Sequence, residues 1–383
     1  MTDTLTSFRR DCITACGGDA VIDEILAYTD NPFRSGDRPD LPPLPMADEP
    51  HVARWEHYCE EAERDGVWPA LQRALRQLQF GIRAGISDEP GYRAATRKGE
   101  APPEPEPAAS LKDPEGLRLY LHETLAGKVP VLEIANRDDF EHLVQALTAR
   151  NEPEVVPDSM GACIVGGYNN WDRIWAHRSA WKAANPMINT DARWPAEFKR
   201  LTGDKSAYQD RFILLSSGPY SAVPAAEVEL EDEAWRERSM VLRRDHECTH
   251  YFTVRALGSM RNNLLDELAA DYVGIVSAFG EYRRELALRA FGLDQPSGFR
   301  AGGRLEVYRG SPPLGDEAFL VVAELARRCV NNLADFDAVD GPREPQDLAR
   351  FVAALTFLTL EEIVAPDLTK RLQRQLQDLS TSE

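Results

Sequence analysis

The run Arg244-Asp245-His246-Glu247-Cys248-Thr249-His250-Tyr251-Phe252 carries two histidines four residues apart. Around it Trp235, Val241, Leu242, Phe252 and Val254 recur at helical spacing, which predicts a helix through the motif. On a helix, residues i and i+4 share a face, so the His246 and His250 imidazoles can reach one cation. Glu247 stands about 100° further round by the ~3.6-residue period, where it can touch a metal-held water without displacing a ligand. Cys248 points about 200° away from His246 by the same period and reads as a packing residue. A chance His-Glu-x-x-His is expected in roughly 1% of chains of this size. The run therefore reads as a site rather than as two surface histidines.

Zinc prefers neutral imidazole and carboxylate in a four-coordinate shell, with one position left open in a catalytic centre. A third ligand is thus required. The histidines are His51, His57, His122, His142, His177, His246 and His250, and none follows His250. The next stretch, Asn262-Asn263-Leu264-Leu265-Asp266-Glu267-Leu268-Ala269-Ala270-Asp271-Tyr272, predicts a second helix. It would be capped at Asn262 or Asn263 and run to about Phe279. Glu267 and Asp271 are again i and i+4, and their spacing alone permits either to bind.

His-Glu-x-x-His followed by Glu-x-x-x-Asp on the next helix resembles the gluzincin clan of zinc metallopeptidases, the thermolysin-like and aminopeptidase-like group. The resemblance spans about residues 240–275. It implies a zincin-like catalytic region with Zn2+ held by His246, His250 and Glu267. It further implies that Asp271 orients a metal-bound histidine from behind, and that Glu247 is the general base. The implied chemistry is hydrolysis of a peptide or other amide bond by a metal-activated water. No histidine follows the motif to stabilise the transition state, so Tyr272, Tyr282, Tyr308, Arg309 and the upstream His177 are the candidate oxyanion donors. The Gly-x-Met-Glu-Asn substrate motif of the aminopeptidase branch is absent. A small-molecule amide or ester substrate in a biosynthetic pathway, and a non-catalytic metal-binding scaffold, are the alternatives. A relict scaffold would be expected to lose Glu247, which is retained.

Outward from the motif, the chain from Glu231 to the C-terminus reads as helical, with loops near 292–314 and 335–346. Upstream, Val129–Ile134, Gly161–Gly166 and Arg211–Leu215 are strand-like. Phe212–Leu215 has two readings, a cleft-edge strand that pairs with extended substrate or a buried core strand. Asp138–Arg150 and the Trp-rich Asn170–Ala184 read as helices. Gly166-Gly167 reads as a strand-to-helix turn with Asn170 as N-cap, in preference to a substrate pocket. Trp171, Trp175 and Trp181 read as core or as an interface seam. Arg283, Arg284 and Arg289 read as a solvated helix face.

Residues 1–80 are mostly helical in pattern, with Asn31-Pro32 ending a helix over 18–29. A second helical stripe over 51–80 breaks near Gly66. The Pro/Glu-rich stretch 97–116 reads as a linker. It would divide a helical region, 1–96, from a catalytic domain, 117–383. The expected fold class is α+β, mainly helical.

Composition sets the outer bounds. In 383 residues, Lys+Arg is 44 and Asp+Glu is 63, a formal net charge of −19. That balance argues against nucleic acid or an anionic membrane as partner, since both are polyanions. No run is long and apolar enough for a transmembrane helix, and the first residues do not read as a secretory signal. Six scattered cysteines without a Cys-x-x-Cys pair point to free thiols and a cytoplasmic protein.

Overall fold

The computed structural model describes residues 2–34, 40–101, 110–258 and 264–380. In chain order the helices begin with α1 (Thr2–Thr14) and α2 (Ile22–Tyr28). There follow α3 (Val52–Asp65), α4 (Val67–Ala74), α5 (Pro90–Lys98), β1 (Leu117–His122), β2 (Val129–Ile134), α6 (Arg137–Thr148) and β3 (Ala162–Asn169). Next come α7 (Trp171–Ala184), α8 (Thr190–Leu201) and β4 (Gln209–Ser216). The last stretch holds α9 (Asp232–Leu257), α10 (Leu264–Phe279), α11 (Arg284–Phe291), α12 (Asp316–Asp340), α13 (Pro345–Thr356), α14 (Leu360–Ile363) and α15 (Leu368–Ser380). The protein is α+β and mainly helical. Among the described residues no helix is long and apolar enough to cross a membrane.

The chain divides into two compact units. One joins Met1–Met46 to Pro219–Glu383, and the other is Ala47–Gly218. This is not the division at 97–116 that composition suggests. Residues 102–109 of that stretch lie outside the described ones, and its flanks are built into structure. Arg97 and Lys98 end α5, and Pro114–Gly116 forms a 3-10 turn capped by Asp113. Trp55, Tyr58 and Leu71 before it and Leu117, Phe140 and Phe212 after it belong to one apolar core. Burial of those aromatic and aliphatic faces, worth about 1.5–3 kcal/mol per side chain, ties the two sides together.

In the Ala47–Gly218 unit the sheet has the order β1-β2-β4-β3. β2 runs parallel to β4, whereas β1 on β2 and β3 on β4 are antiparallel. β4 is therefore bonded along both edges. Phe212–Leu215 is a buried core strand, and its edge cannot receive an extended substrate. Asn170 caps α7 by accepting from the Asp172 and Arg173 amides, but Gly166 and Gly167 do not form a turn: they lie inside β3, at a shift of its register against β4. Trp171 and Ile174 form a small core with Leu201, against which Trp175, Trp194 and Phe198 pack.

In the other unit α9 and α10 form the central pair, and α13 packs on both. α9 ends at Gly258, whose φ of +76° is the left-handed C-cap that glycine adopts without steric cost. The expected cap of α10 at Asn262 or Asn263 lies outside the described residues. The loop expected near 335–346 begins late, because α12 continues to Asp340. Asp337 explains the extension: it is buried and accepts from the Tyr272 hydroxyl, the Tyr282 amide and Arg343.

The first 46 residues are structural members of this unit. Asn31 Nδ2 donates to the carbonyls of Thr356 (2.8 Å) and Leu358 (2.7 Å). Thr29 Oγ1 donates to the fully buried Glu361 (2.5 Å), and Arg9 lies 3.4 Å from the same carboxylate. Removing one partner of a buried charged group costs about 3–5 kcal/mol, a large part of a domain's ~5–15 kcal/mol. Deletion of residues 1–46 is therefore expected to abolish the cooperative melting of this unit. Calorimetry of the truncated chain checks this, and an unchanged transition would contradict it.

Candidate metal centre

The α9–α10 pair is antiparallel, with a rung at each turn. Leu242 meets Gly274, His246 meets Asp271, and His250 meets Glu267. The first rung sets the spacing of the other two. A Cβ on Gly274 would lie 2.6 Å from the Leu242 carbonyl oxygen, too close for any side chain. Gly274→Ala is thus expected to force the helices apart. Overpacking of this kind costs about 1–3 kcal/mol, and Glu267 would be drawn away from the imidazoles. Thermal melting and a chelator competition for metal check both effects. An unaltered melting temperature would show that the pair yields at no cost.

The second and third rungs gather atoms that could hold a metal ion. His246 Nε2 and His250 Nε2 lie 3.1 Å apart. Glu267 Oε2 is 3.4 Å from His246 Nε2, and Glu267 Oε1 is 3.5 Å from His250 Nε2. In a tetrahedral shell with zinc–ligand bonds of about 2.0–2.1 Å, neighbouring ligand atoms stand about 3.3 Å apart. The two imidazole nitrogens stand near that spacing and each has one Glu267 oxygen within 3.5 Å, and the chemistry of two imidazoles and a carboxylate suits zinc. His246 is buried, and the His250 and Glu267 side chains are 18% exposed, so the centre is walled but reachable. Glu247 is also buried on α9, between its two histidines in sequence.

Behind the imidazoles, Asp271 is fully buried. Its Oδ1 lies 2.8 Å from His246 Nδ1 and accepts from the Tyr220 hydroxyl at 2.5 Å. Its Oδ2 accepts from Arg304 Nη2, and Arg304 Nη1 donates to the Tyr220 hydroxyl at 2.5 Å. Burial alone would raise the Asp271 carboxyl. The Arg304 guanidinium and the His246 ring outweigh it and hold the acid below its ordinary value. An ionised Asp271 accepts the proton on Nδ1, and Nε2 faces Glu267 and His250 as the nitrogen that could bind a metal ion.

The electrostatics favour a cation between the rings. Burial would lower His246, but hydrogen bonds and charge from Asp271 and Glu267 push it up to about 10. His250 is lowered to about 4, first by burial and further by the charge of His246 against the opposing pull of Glu267. Burial would raise the Glu267 carboxyl, yet His246 and His250 hold it well below the carboxylate range. These carboxylates attract positive charge to a spot where two imidazoles cannot both carry a proton.

The structure brings together the side chains of His246, His250, Glu267 and Asp271 on two adjoining helices, and Glu247 follows His246 on the first of these. Of the five candidate oxyanion donors, only Tyr308 touches this set, donating to Glu267 Oε2 at 2.8 Å. Tyr272 donates to Asp337, and Tyr282 stacks on Tyr272 with centroids 4.9 Å apart. Arg309 pairs with Asp316, and His177 pairs with Glu197 within the other unit. Arg283, Arg284 and Arg289 pair with Glu281, Asp335 and Glu227, in keeping with a solvated face. Cys248 is buried, as a packing residue should be.

Sequence reasoning misses Tyr220 and Arg304. Tyr220 follows Gly218-Pro219, and the turn after it holds Ser221 (φ +50°) and Ala222 (φ +57°) in the left-handed region. Such strain in residues other than glycine concentrates at functional sites. Arg304 lies in the stretch 292–314 that reads only as loop. Its one signal is the spacing Arg304-x-x-x-Tyr308, the reverse of Glu267-x-x-x-Asp271.

A family model described as a family of unknown function (DUF7005) matches residues 11–367. No curated protein and no solved structure matches the chain.

Proposed function

The chain belongs to the DUF7005 family, and for it we propose a zinc-dependent hydrolase of peptide or other amide bonds, built on a zincin-like helix pair. The observation that supports this reading is the gathering of His246, His250 and Glu267: the two Nε2 atoms lie 3.1 Å apart, with Glu267 Oε2 3.4 Å from the first and Oε1 3.5 Å from the second. These three side chains would hold the ion. When bound, zinc supplies Lewis acidity toward water and toward a carbonyl oxygen.

The protein's own residues do the rest. Glu247 takes a proton from the attacking water and delivers it to the leaving nitrogen, so that no charged amide anion has to depart. Asp271 retains the proton on His246 Nδ1 and keeps the ring from turning. The burial of His246 and Glu247 excludes bulk water and strengthens each of these interactions.

A second reading, hydrolysis of a small-molecule amide or ester, uses the same three ligands and the same base. In either reading the protein works in the cytoplasm, in keeping with six free cysteines. The charge of −19 speaks against nucleic acid or membrane partners.

The purified protein is expected to carry about one zinc per chain, and the stripped protein to take up one. Elemental analysis, followed by digestion of a mixed peptide library and a panel of small amides and esters, tests the metal and then the substrate. Absence of zinc together with no uptake would overturn the reading. Zinc binding without hydrolysis of any amide or ester would favour the non-catalytic scaffold.

A further inference from the structure

Two side chains of one short segment, Arg304–Tyr308, reach Glu267 and Asp271 of α10 in reversed order. Arg304 holds Asp271, and Tyr308 holds Glu267. We propose that this segment is a positioning clamp for the metal centre, acting on His246 through Asp271 and on the third ligand directly. The inference rests on the zinc reading of that centre.

The contacts are specific. Arg304 is nearly buried, and its two terminal nitrogens serve different partners, Asp271 Oδ2 and the Tyr220 hydroxyl. Its guanidinium also lies 4.4 Å from the centroid of the Phe291 ring, which fixes the plane of the fork. With Oδ2 taken by Arg304, Asp271 turns Oδ1 toward His246 Nδ1. Tyr308 fixes Glu267 Oε2 in the same manner, with Oε1 on the side of His250.

The segment is itself pinned to the core. The Tyr28 hydroxyl donates to the Tyr308 carbonyl at 2.6 Å, and Leu305 between the two clamp residues is 1% exposed. A buried ion pair contributes little to stability compared with well-packed apolar groups of the same volume. Fold stability alone therefore does not call for an arginine here. Both polar side chains end on the carboxylates that face the imidazoles, which is what a positioning role requires.

The test uses the full-length protein and zinc itself, with affinity measured by chelator competition. The visible absorption of the cobalt(II)-loaded protein serves as a separate report on coordination geometry. Arg304→Met is expected to weaken zinc binding about 10–100-fold, as loss of an outer hydrogen-bonding partner does. Combined with Asp271→Asn it should add little, because both changes cut the same connection. Tyr308→Phe should weaken binding about 2–10-fold, the worth of one hydrogen bond. It should also alter the cobalt spectrum, since the Glu267 carboxylate is then free to turn. Arg309→Met, on the same loop but paired with the exposed Asp316, should change neither readout.

If Arg304→Met fails to fold, Arg304→Lys keeps the charge without the fork and is expected to lose affinity to a smaller degree. Wild-type affinity and spectrum in the Arg304 and Tyr308 variants would overturn the clamp and leave the zinc reading standing. Losses that add fully in the Arg304/Asp271 pair would overturn the route through Asp271. A wild-type protein that takes up neither metal would instead remove the zinc reading on which the clamp rests.

Discussion

Glu247→Gln is expected to keep its zinc and to lose hydrolysis by about 10²–10⁴-fold, the usual contribution of general acid–base catalysis. Glutamine has nearly the shape of glutamate and can occupy the same buried position on α9. It still accepts and donates hydrogen bonds, but it cannot take a proton from water at neutral pH. The ligating set of His246, His250 and Glu267 is untouched, so metal content should stay at the wild-type level. Turnover of the best substrate from the library, measured beside zinc stoichiometry, separates the two roles. Unchanged turnover would remove Glu247 as the base. Loss of zinc in the variant would show instead that Glu247 helps to hold the ion.

Glu267→Ala and Asp271→Ala are expected to part company. Loss of Glu267 should nearly abolish zinc binding, whereas loss of Asp271 should cost about 10–100-fold. The structure gives a reason for this order. The Glu267 oxygens lie 3.4 Å from His246 Nε2 and 3.5 Å from His250 Nε2, and one of them also accepts from Tyr308. Both oxygens of Asp271 are committed elsewhere, to His246 Nδ1, Tyr220 and Arg304. The metal-free proteins should differ in the opposite sense. Asp271→Ala leaves the buried Arg304 without its acceptor, a cost of about 3–5 kcal/mol. Glu267→Ala removes a carboxylate that water can partly reach, and should lower the melting temperature less. Retention of metal by Glu267→Ala with loss in Asp271→Ala would reverse the assignment and withdraw the main support of the gluzincin resemblance.

How far the site is legible in the sequence follows from the range of its contacts. His246, Glu247 and His250 sit within one turn of a helix, and Glu267 and Asp271 within one turn of the next. Periodicity alone places His246 with His250, and Glu267 with Asp271, on one face, and sets Glu247 a step round from the first pair. Arg304 and Tyr220 reach Asp271 across 33 and 51 positions of sequence, and no local pattern encodes those meetings. The division of the chain is misread at 97–116 for a related reason. Proline and glutamate mark a stretch that forms no core of its own, but not whether the segments beside it share one. β1 is a different case. Leu117, Leu119 and Leu121 alternate with Arg118, Tyr120 and His122, the period of a strand with one buried side, so its signal is present and local. α8 has no counterpart among the expected helices, and Pro195 inside it interrupts the pattern that would reveal it.

The discontinuous unit that houses the metal centre has a consequence for synthesis. Thr29 and Asn31 leave the ribosome long before their buried partners Thr356, Leu358 and Glu361 are made. The whole of 47–218, a segment of 218 − 46 = 172 residues, is made in between. At about 5–20 residues per second this interval alone lasts roughly 10–35 s. The nascent chain can complete the inserted unit during that time, while its opening helices wait for partners not yet made. A ribosome-bound chain that already displays the histidine motif thus still lacks Thr356, Leu358 and Glu361, and closure of this unit is deferred until they have been made.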